Sequence, residues 1–165
     1  MSAPELRLRD LASADLAAIY AQQADPEACA LARVAQRERA DFDLHWERIR
    51  ADGSIDVRVI DEGGQVAGYL VCFGSWDPDA PPGPRQVGYW LGRDFWGRGI
   101  ATAALALFLE ELEERPLMAF TSPDHRASQV VLERCGFARL PAGEAAPRQR
   151  PDRSADSAVY RLDRP

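Results

Sequence analysis

The chain has 165 residues, 46% of them hydrophobic and 28% charged, which suits one domain with a buried core and argues against a disordered chain. Its 20 basic residues are all arginine and face 26 acidic ones, so the net charge is −6. That balance is a poor match to a phosphate backbone and a better one to amine-bearing partners.

In chain order, Glu5 to Arg9 alternates polar and apolar residues and reads as a first strand. Ser13 reads as the N-cap of a helix through Tyr20 and Gln22. A second helix is predicted over Asp41–Ala51, where Phe42, Trp46 and Ile49 make an apolar stripe, and Asp52-Gly53 ends it. Ile55, Val57 and Val59 alternate as a strand. Gly63-Gly64 then turns the chain into a long apolar strand over Val66–Phe73. Trp76–Pro84 carries four prolines and is a loop, and Val87–Leu91 is the next strand. After Trp96-Gly97-Arg98-Gly99 a helix is predicted from Ile100 to Glu114, buried because its first turns are apolar nearly all round; Pro116 breaks it. Leu117–Thr121 is a short buried strand. Ser122-Pro123 supplies a cap and a first-turn proline for a helix ending at Gly136. Phe137–Leu140 and Ser157–Leu162 are late strands, with Pro141–Ala155 between them expected to be a mobile loop. The order βααβββαβαββ implies an α/β fold: a mixed sheet with helices on both faces, in one domain over residues 1–165.

The segment Met1 to Asp10 is charged and lacks the apolar stretch of a leader, and the longest apolar stretch, Ile100–Leu109, is too short to span a bilayer. Cys29, Cys72 and Cys135 are scattered and match neither a disulfide framework nor a zinc site, and His45 and His125 are the only histidines. These features lead to the expectation of a cytoplasmic chain with no metal and no membrane partner.

The stretch from Val87 to Thr102 carries the chemistry. A strand runs into a glycine-bearing turn that opens a helix, which points free backbone N–H groups at one spot, at the positive end of a helix dipole. A pyrophosphate would fit such an anion site, with Arg98 adding a charge-assisted contact. The spacing is neither a Walker A motif nor Gly-x-Gly-x-x-Gly, and the alternative is a tight strand-to-helix turn with a surface arginine.

Tyr89-Trp90-Leu91 followed by Trp96-Gly97-Arg98-Gly99-Ile100-Ala101-Thr102 resembles motif A of the GNAT N-acetyltransferase superfamily. Trp96 stands where that motif has Gln or Arg, as in the branch that resembles ribosomal-protein N-terminal acetyltransferases. His125-Arg126-Ala127-Ser128 with Val131–Phe137 is similar to the family's Asn-x-x-Ser/Ala … Glu-Lys-x-Gly-Phe segment, and the resemblance covers nearly the whole chain. It implies the GNAT acyl-CoA N-acyltransferase fold, a mostly antiparallel sheet with one splayed parallel pair, Val87–Leu91 beside Leu117–Thr121. It also implies acetyl-CoA as cosubstrate, its pyrophosphate on the amides of Trp96 to Thr102 and its pantetheine against Tyr89, Trp90 and Leu91. The reaction it implies is direct transfer of acetyl, within a ternary complex, to a primary amine of a small molecule or a peptide N-terminus. A homodimer is compatible with the resemblance; a nucleic-acid partner is not expected.

The resemblance also assigns individual roles. The family's tyrosine that protonates the leaving thiolate falls on Leu132, so that role is vacant, and Ser128 is the candidate acid; otherwise Ser128 faces a helix neighbour or the pantetheine. His125 replaces an asparagine that bonds pantetheine, and either keeps that contact through a ring nitrogen or caps a helix. Gln86 lies near the position where relatives carry a basic glutamate. His45, between Phe42 and Ile49, is either a base or a structural histidine; Asp77 reads as a solvated loop acid, and Cys135 as a core thiol lacking a base partner. With no strong base in view, the acceptor's own ionisation matters: roughly 10–15% of an α-amine is neutral at pH 7, against roughly 0.04% of a lysine amine. The acceptor-side segments Ala24–Asp41 and Pro141–Ser157 match no motif. Leu132 and Gln86 also keep open an alternative, a non-catalytic acyl-CoA-binding module.

Overall fold

The structure is a computed structural model that describes residues 5–75, 77–141 and 156–164. Its strands are β1 (Leu6–Arg9), β2 (Asp56–Glu62), β3 (Gln65–Phe73), β4 (Arg85–Leu91), β5 (Leu117–Thr121), β6 (Ala138–Arg139) and β7 (Ala158–Leu162). Its helices are α1 (Leu16–Gln23), α2 (Pro26–Ala32), α3 (Arg39–Ala51), α4 (Ile100–Glu111) and α5 (Arg126–Arg134). One sheet runs in the order β1-β2-β3-β4-β5-β7-β6, and among the described residues only β4 and β5 pair in parallel. This is the mixed, mostly antiparallel sheet expected from the sequence.

Alternation along the strands sorts the core onto two faces. Leu70 and Cys72 of β3 join a cluster with Ile100, Leu105 and Phe108 of α4 and Leu132 of α5. Tyr69, the neighbour of Leu70, packs instead against Ile19 of α1 and Phe42, Trp46 and Ile49 of α3. Successive strand residues point to opposite faces, so the helices cover both. The stripe read from α3 is the buried one: Phe42 and Trp46 are fully buried, and the Trp46 ring stands edge-on to Tyr69 at 4.9 Å.

Several boundaries differ from expectation for identifiable reasons. Helix α2 is additional. Asp25 caps it by accepting hydrogen bonds from the Glu27 and Ala28 N–H groups, and Pro26 fills the first helical position. Ser13 is not a cap; it lies in a 3-10 turn, Ser13–Asp15, where the Asp15 carboxylate accepts from the Ala12 N–H and from Arg9. Strand β2 continues past Val59 to Glu62 in pairing with β3, with a register shift at Ile60/Asp61 where Ala67 of β3 is passed over. Helix α4 stops at Glu111, three residues short of the expected end, and Leu107 on its outer side is 38% exposed, so it is buried on one face only.

Helix α5 begins at Arg126, not at Pro123. A turn closed by the His125 N–H on the Ser122 carbonyl precedes it, and Gln129 Nε2 donates to the Ser122 and Pro123 carbonyls, which removes them from a helical ladder. Its end is as expected: Gly136 has φ 91°, its N–H donates to Glu133 O, and the Phe137 N–H reaches back to Leu132 O. The late strands are shorter than expected, and β7 inserts between β5 and β6. Trp76 and residues 142–155, most of the expected mobile loop, lie outside the described residues. Among the described residues no helix is long and apolar enough to cross a membrane.

Candidate active site

The parallel pair is short. Arg85, Gln86 and Val87 pair with Leu117, Met118 and Ala119, and the two strands then part: β4 continues to Leu91 against β3 alone, and β5 to Thr121 against β7. The edge of Tyr89–Leu91 that faces β5 therefore has no ladder partner there. Two cavities open on this wedge, one of about 510 Å³ and one of about 370 Å³, and both are lined by Val34, Tyr89, Trp90 and Phe120. The strand splay thus joins them.

The larger cavity collects nearly every site residue expected from the sequence. Tyr89, Trp90, Leu91, Trp96, Gly97, Gly99, Ile100, Ala101, Thr102, His125 and Ser128 all line it. Gly97 and Gly99 have φ of 72° and 74°, the left-handed region where a side chain is strained. These two reversals aim the turn into α4, whose first internal bond runs from the Ala103 N–H to Gly99 O. The amides of Ile100, Ala101 and Thr102 precede that bond and lack intrahelical acceptors, so they are available to an anion at the positive end of the helix. Trp96 is tied down by its indole N–H, which donates to Leu91 O at 2.9 Å. Arg98 is the exception: it does not line the cavity, pairs with Glu62 Oε1 at 2.7 Å and lies over the Phe95 ring. Arg134, in the last turn of α5, does line it and supplies a cation there. Arg134 stands where the family's Glu-Lys-x-Gly-Phe segment has lysine, a basic position to which the resemblance gave no role.

A small polar network crosses the wedge. The Tyr89 hydroxyl lies 2.7 Å from Ser128 Oγ and 3.2 Å from Ser128 O. Burial pushes the Tyr89 phenol up to about 12, so it stays protonated. The Ser128 N–H donates to His125 Nδ1 at 3.3 Å, which makes His125 the cap of α5 and leaves the proton of the neutral ring on Nε2. Burial holds the His125 pKa below 6.5. Of the two roles open to His125, capping is therefore filled by Nδ1, while Nε2 is a donor on a residue that lines the cavity. The Tyr89 side chain is a member of the network that the motif, read through backbone contacts, does not identify.

The remaining candidates fall elsewhere. Leu132 is 1% exposed and belongs to the core. Gln86 is buried on β4, with Phe73 and Met118 as its cross-strand neighbours. Asp77 accepts from the Asp79 N–H in the loop before β4 and lines neither cavity. The Cys135 thiol packs against the core 3.5 Å from Thr102 O, and burial raises its pKa, which opposes a nucleophilic role. His45 lines the smaller cavity, its ring edge-on to Trp46 at 6.0 Å. Among the described residues no group of His, Cys, Asp and Glu is placed to hold a metal ion.

Residues 5–138 match the sequence model of a family described as an acetyltransferase (GNAT) domain. The chain is similar to the solved acetyltransferase from Agrobacterium tumefaciens str. C58, with 25% identity, a TM-score of 0.77, and 99% of this chain and 94% of that one covered. It shares the fold of the aminoglycoside acetyltransferase AAC(6')-Ib solved with coenzyme A and kanamycin, at 22% identity and TM-score 0.75, over 97% and 95% of the two chains. It also shares the fold of Mycobacterium smegmatis RimJ solved with CoA-disulfide, at 23% identity and TM-score 0.69, over 96% and 81%.

Proposed function

The chain belongs to the GNAT acetyltransferase family, and from that membership we propose that it transfers acetyl from acetyl-CoA to a primary amine by direct attack in a ternary complex. The observation that carries this reading is the pair of cavities meeting at the splay of β4 and β5. The larger one suits the cosubstrate: orphan amides at the start of α4 and the Arg134 guanidinium face a pyrophosphate, and the open edge of Tyr89–Leu91 faces the pantetheine. The smaller one takes the acceptor.

In the reaction, the neutral amine forms its C–N bond to the thioester carbonyl at the junction. A β4 backbone N–H stabilises the charge that develops on the carbonyl oxygen; such a donor is worth about 2.7–4 kcal/mol. The C–S bond then breaks, and Ser128 gives a proton to the leaving sulfur, a role that requires Tyr89 to be the donor in the 2.7 Å contact between its hydroxyl and Ser128 Oγ. The surplus ammonium proton passes to solvent, and Ser128 regains a proton from solvent through the Tyr89 hydroxyl, so the net change is one proton moved from nitrogen to sulfur. Cys135 takes no part, so the kinetics are sequential and no acetyl-enzyme accumulates.

Thermal unfolding with millimolar acetyl-CoA tests the cosubstrate: a ligand at 100 times its Kd adds about 2.7 kcal/mol, and the absence of any shift overturns the assignment. Turnover with a panel of amines tests the reaction. A shift with no turnover on any amine establishes instead the non-catalytic acyl-CoA-binding module, the reading that core-buried Leu132 and the amide Gln86 favour.

A further inference from the structure

The smaller cavity has a composition of its own. Its walls between α3 and the sheet are apolar, with Ile49, Ile55, Val71 and Phe73 among them. Its charged side chains come from the segment that leads into α3 and from that helix's first turn: Arg37, Glu38 and Asp41, the last two exposed. Two carboxylates against one guanidinium match a single ammonium and are a poor match to a polycation. Gln23, on the same wall, is held in place: its Nε2 donates to the Tyr69 hydroxyl at 2.6 Å.

Gly88 is the second observation. It sits in the interior of β4 opposite Val71 and lines the smaller cavity but not the larger. It is not among the glycines with positive φ, and a Cβ built on it would meet Val71 Cγ2 at 3.4 Å, an ordinary contact. The backbone therefore does not require glycine there, although glycine weakens a strand. A bare strand position on a cavity wall leaves room for a ligand to approach the backbone closely.

We propose that the acceptor is a monoamine on an apolar body, seated against this wall with its nitrogen at the splay, and that Gly88 is the residue that determines which bodies fit. The inference rests on the reading of the smaller cavity as the acceptor site. The apolar body has two sources, a free amine or the first residue of a peptide, and the test separates them.

The test measures kcat/KM for phenethylamine, isoamylamine, a tetrapeptide beginning with Phe, and kanamycin, on the native protein and on Gly88→Val, with the acetyl-CoA thermal shift recorded for both. Phenethylamine or the peptide should exceed kanamycin by about tenfold or more, and the better of the two names the source. Gly88→Val should lower kcat/KM for that acceptor by about tenfold or more while the acetyl-CoA shift persists. If Gly88→Val does not fold, Gly88→Ala, with a single added methyl, gives a smaller drop in the same direction. Preference for kanamycin, or an acceptor order and rate untouched by a folded Gly88 variant, overturns the inference and leaves N-acetylation standing. An acetyl-CoA shift without turnover of any amine overturns both.

Discussion

The Tyr89 hydroxyl and Ser128 Oγ, 2.7 Å apart, form a short proton chain that ends at the wedge. If Tyr89 donates to Oγ, the serine proton is free for the leaving sulfur. Ser128→Ala should then lower kcat by about 10²-fold with acetyl-CoA affinity nearly unchanged, and Tyr89→Phe should act in the same direction. An unchanged rate in Ser128→Ala would return the pair to a structural role, and a loss of affinity would make Ser128 a pantetheine contact. His125 gives a pH test. Its folded pKa is depressed by burial below 6.5, so the unfolded chain binds the proton first as pH falls. Its stabilising contribution is complete above the unfolded pKa and is lost as pH drops through the folded one. Urea titrations between about pH 7 and pH 5.5 should show stability falling less steeply in His125→Asn than in the native protein. Equal slopes would mean that His125 is not held neutral by the fold.

The strand-turn-helix element of β4 and α4 was legible because its signal is local: glycines at fixed offsets, one apolar strand before them and one apolar helix after. Gly99, at φ 74°, is the place to test what that element binds. Asparagine and aspartate both tolerate the left-handed region at a cost of about 1–2 kcal/mol, so Gly99→Asn and Gly99→Asp should lose similar stability. Only the aspartate sets a negative charge against the pyrophosphate. Acetyl-CoA should still raise the Tm of the asparagine variant and should barely shift the aspartate variant; equal responses would remove the anion from this turn. Other elements were less legible. Helix α2 has a cap and a proline in Asp25-Pro26, but it is short, and that dipeptide reads equally as a loop. The start of α5 was misplaced because Ser122-Pro123 has the chemistry of a helix start, while the tertiary bonds from Gln129 that redirect those carbonyls are invisible in a local pattern. The end of β2, Ile60 to Glu62, was hidden because Asp61 and Glu62 precede a Gly-Gly turn, while their pairing with β1 and β3 is tertiary.

At the scale of the whole molecule, cofactor side and acceptor side differ in how they are built. The larger cavity draws mostly on two contiguous motifs, so most of it could be read residue by residue, with Arg134 and not Arg98 among its lining cations. The smaller cavity takes residues from α1, the segment before α3, α3 itself and strands β3 to β5, which only folding brings together. His45 shows the consequence. In the sequence it is one histidine on a helix face; in the fold it lines the cavity where the acceptor is proposed to sit. That placement sharpens the question of the base. With Gln86 buried as an amide and Asp77 outside both cavities, the proposal is that the amine's own ionisation controls the rate. For an α-amine acceptor, kcat/KM should rise with pH and level off near the amine's pKa, about 8, and acceptors closer to a lysine amine should move the inflection toward about 10.4. An inflection fixed at about 6 to 7 for every acceptor would instead report an enzyme group. Two histidines are then distinguishable: His125→Asn removes an inflection that arises in the cofactor cavity, and His45→Gln removes one that arises at the acceptor. Loss of the inflection in His45→Gln would make His45 the base. It would also end the preference for acceptors of low pKa, because a base beside the amine can take its proton at neutral pH whatever that amine's basicity in water.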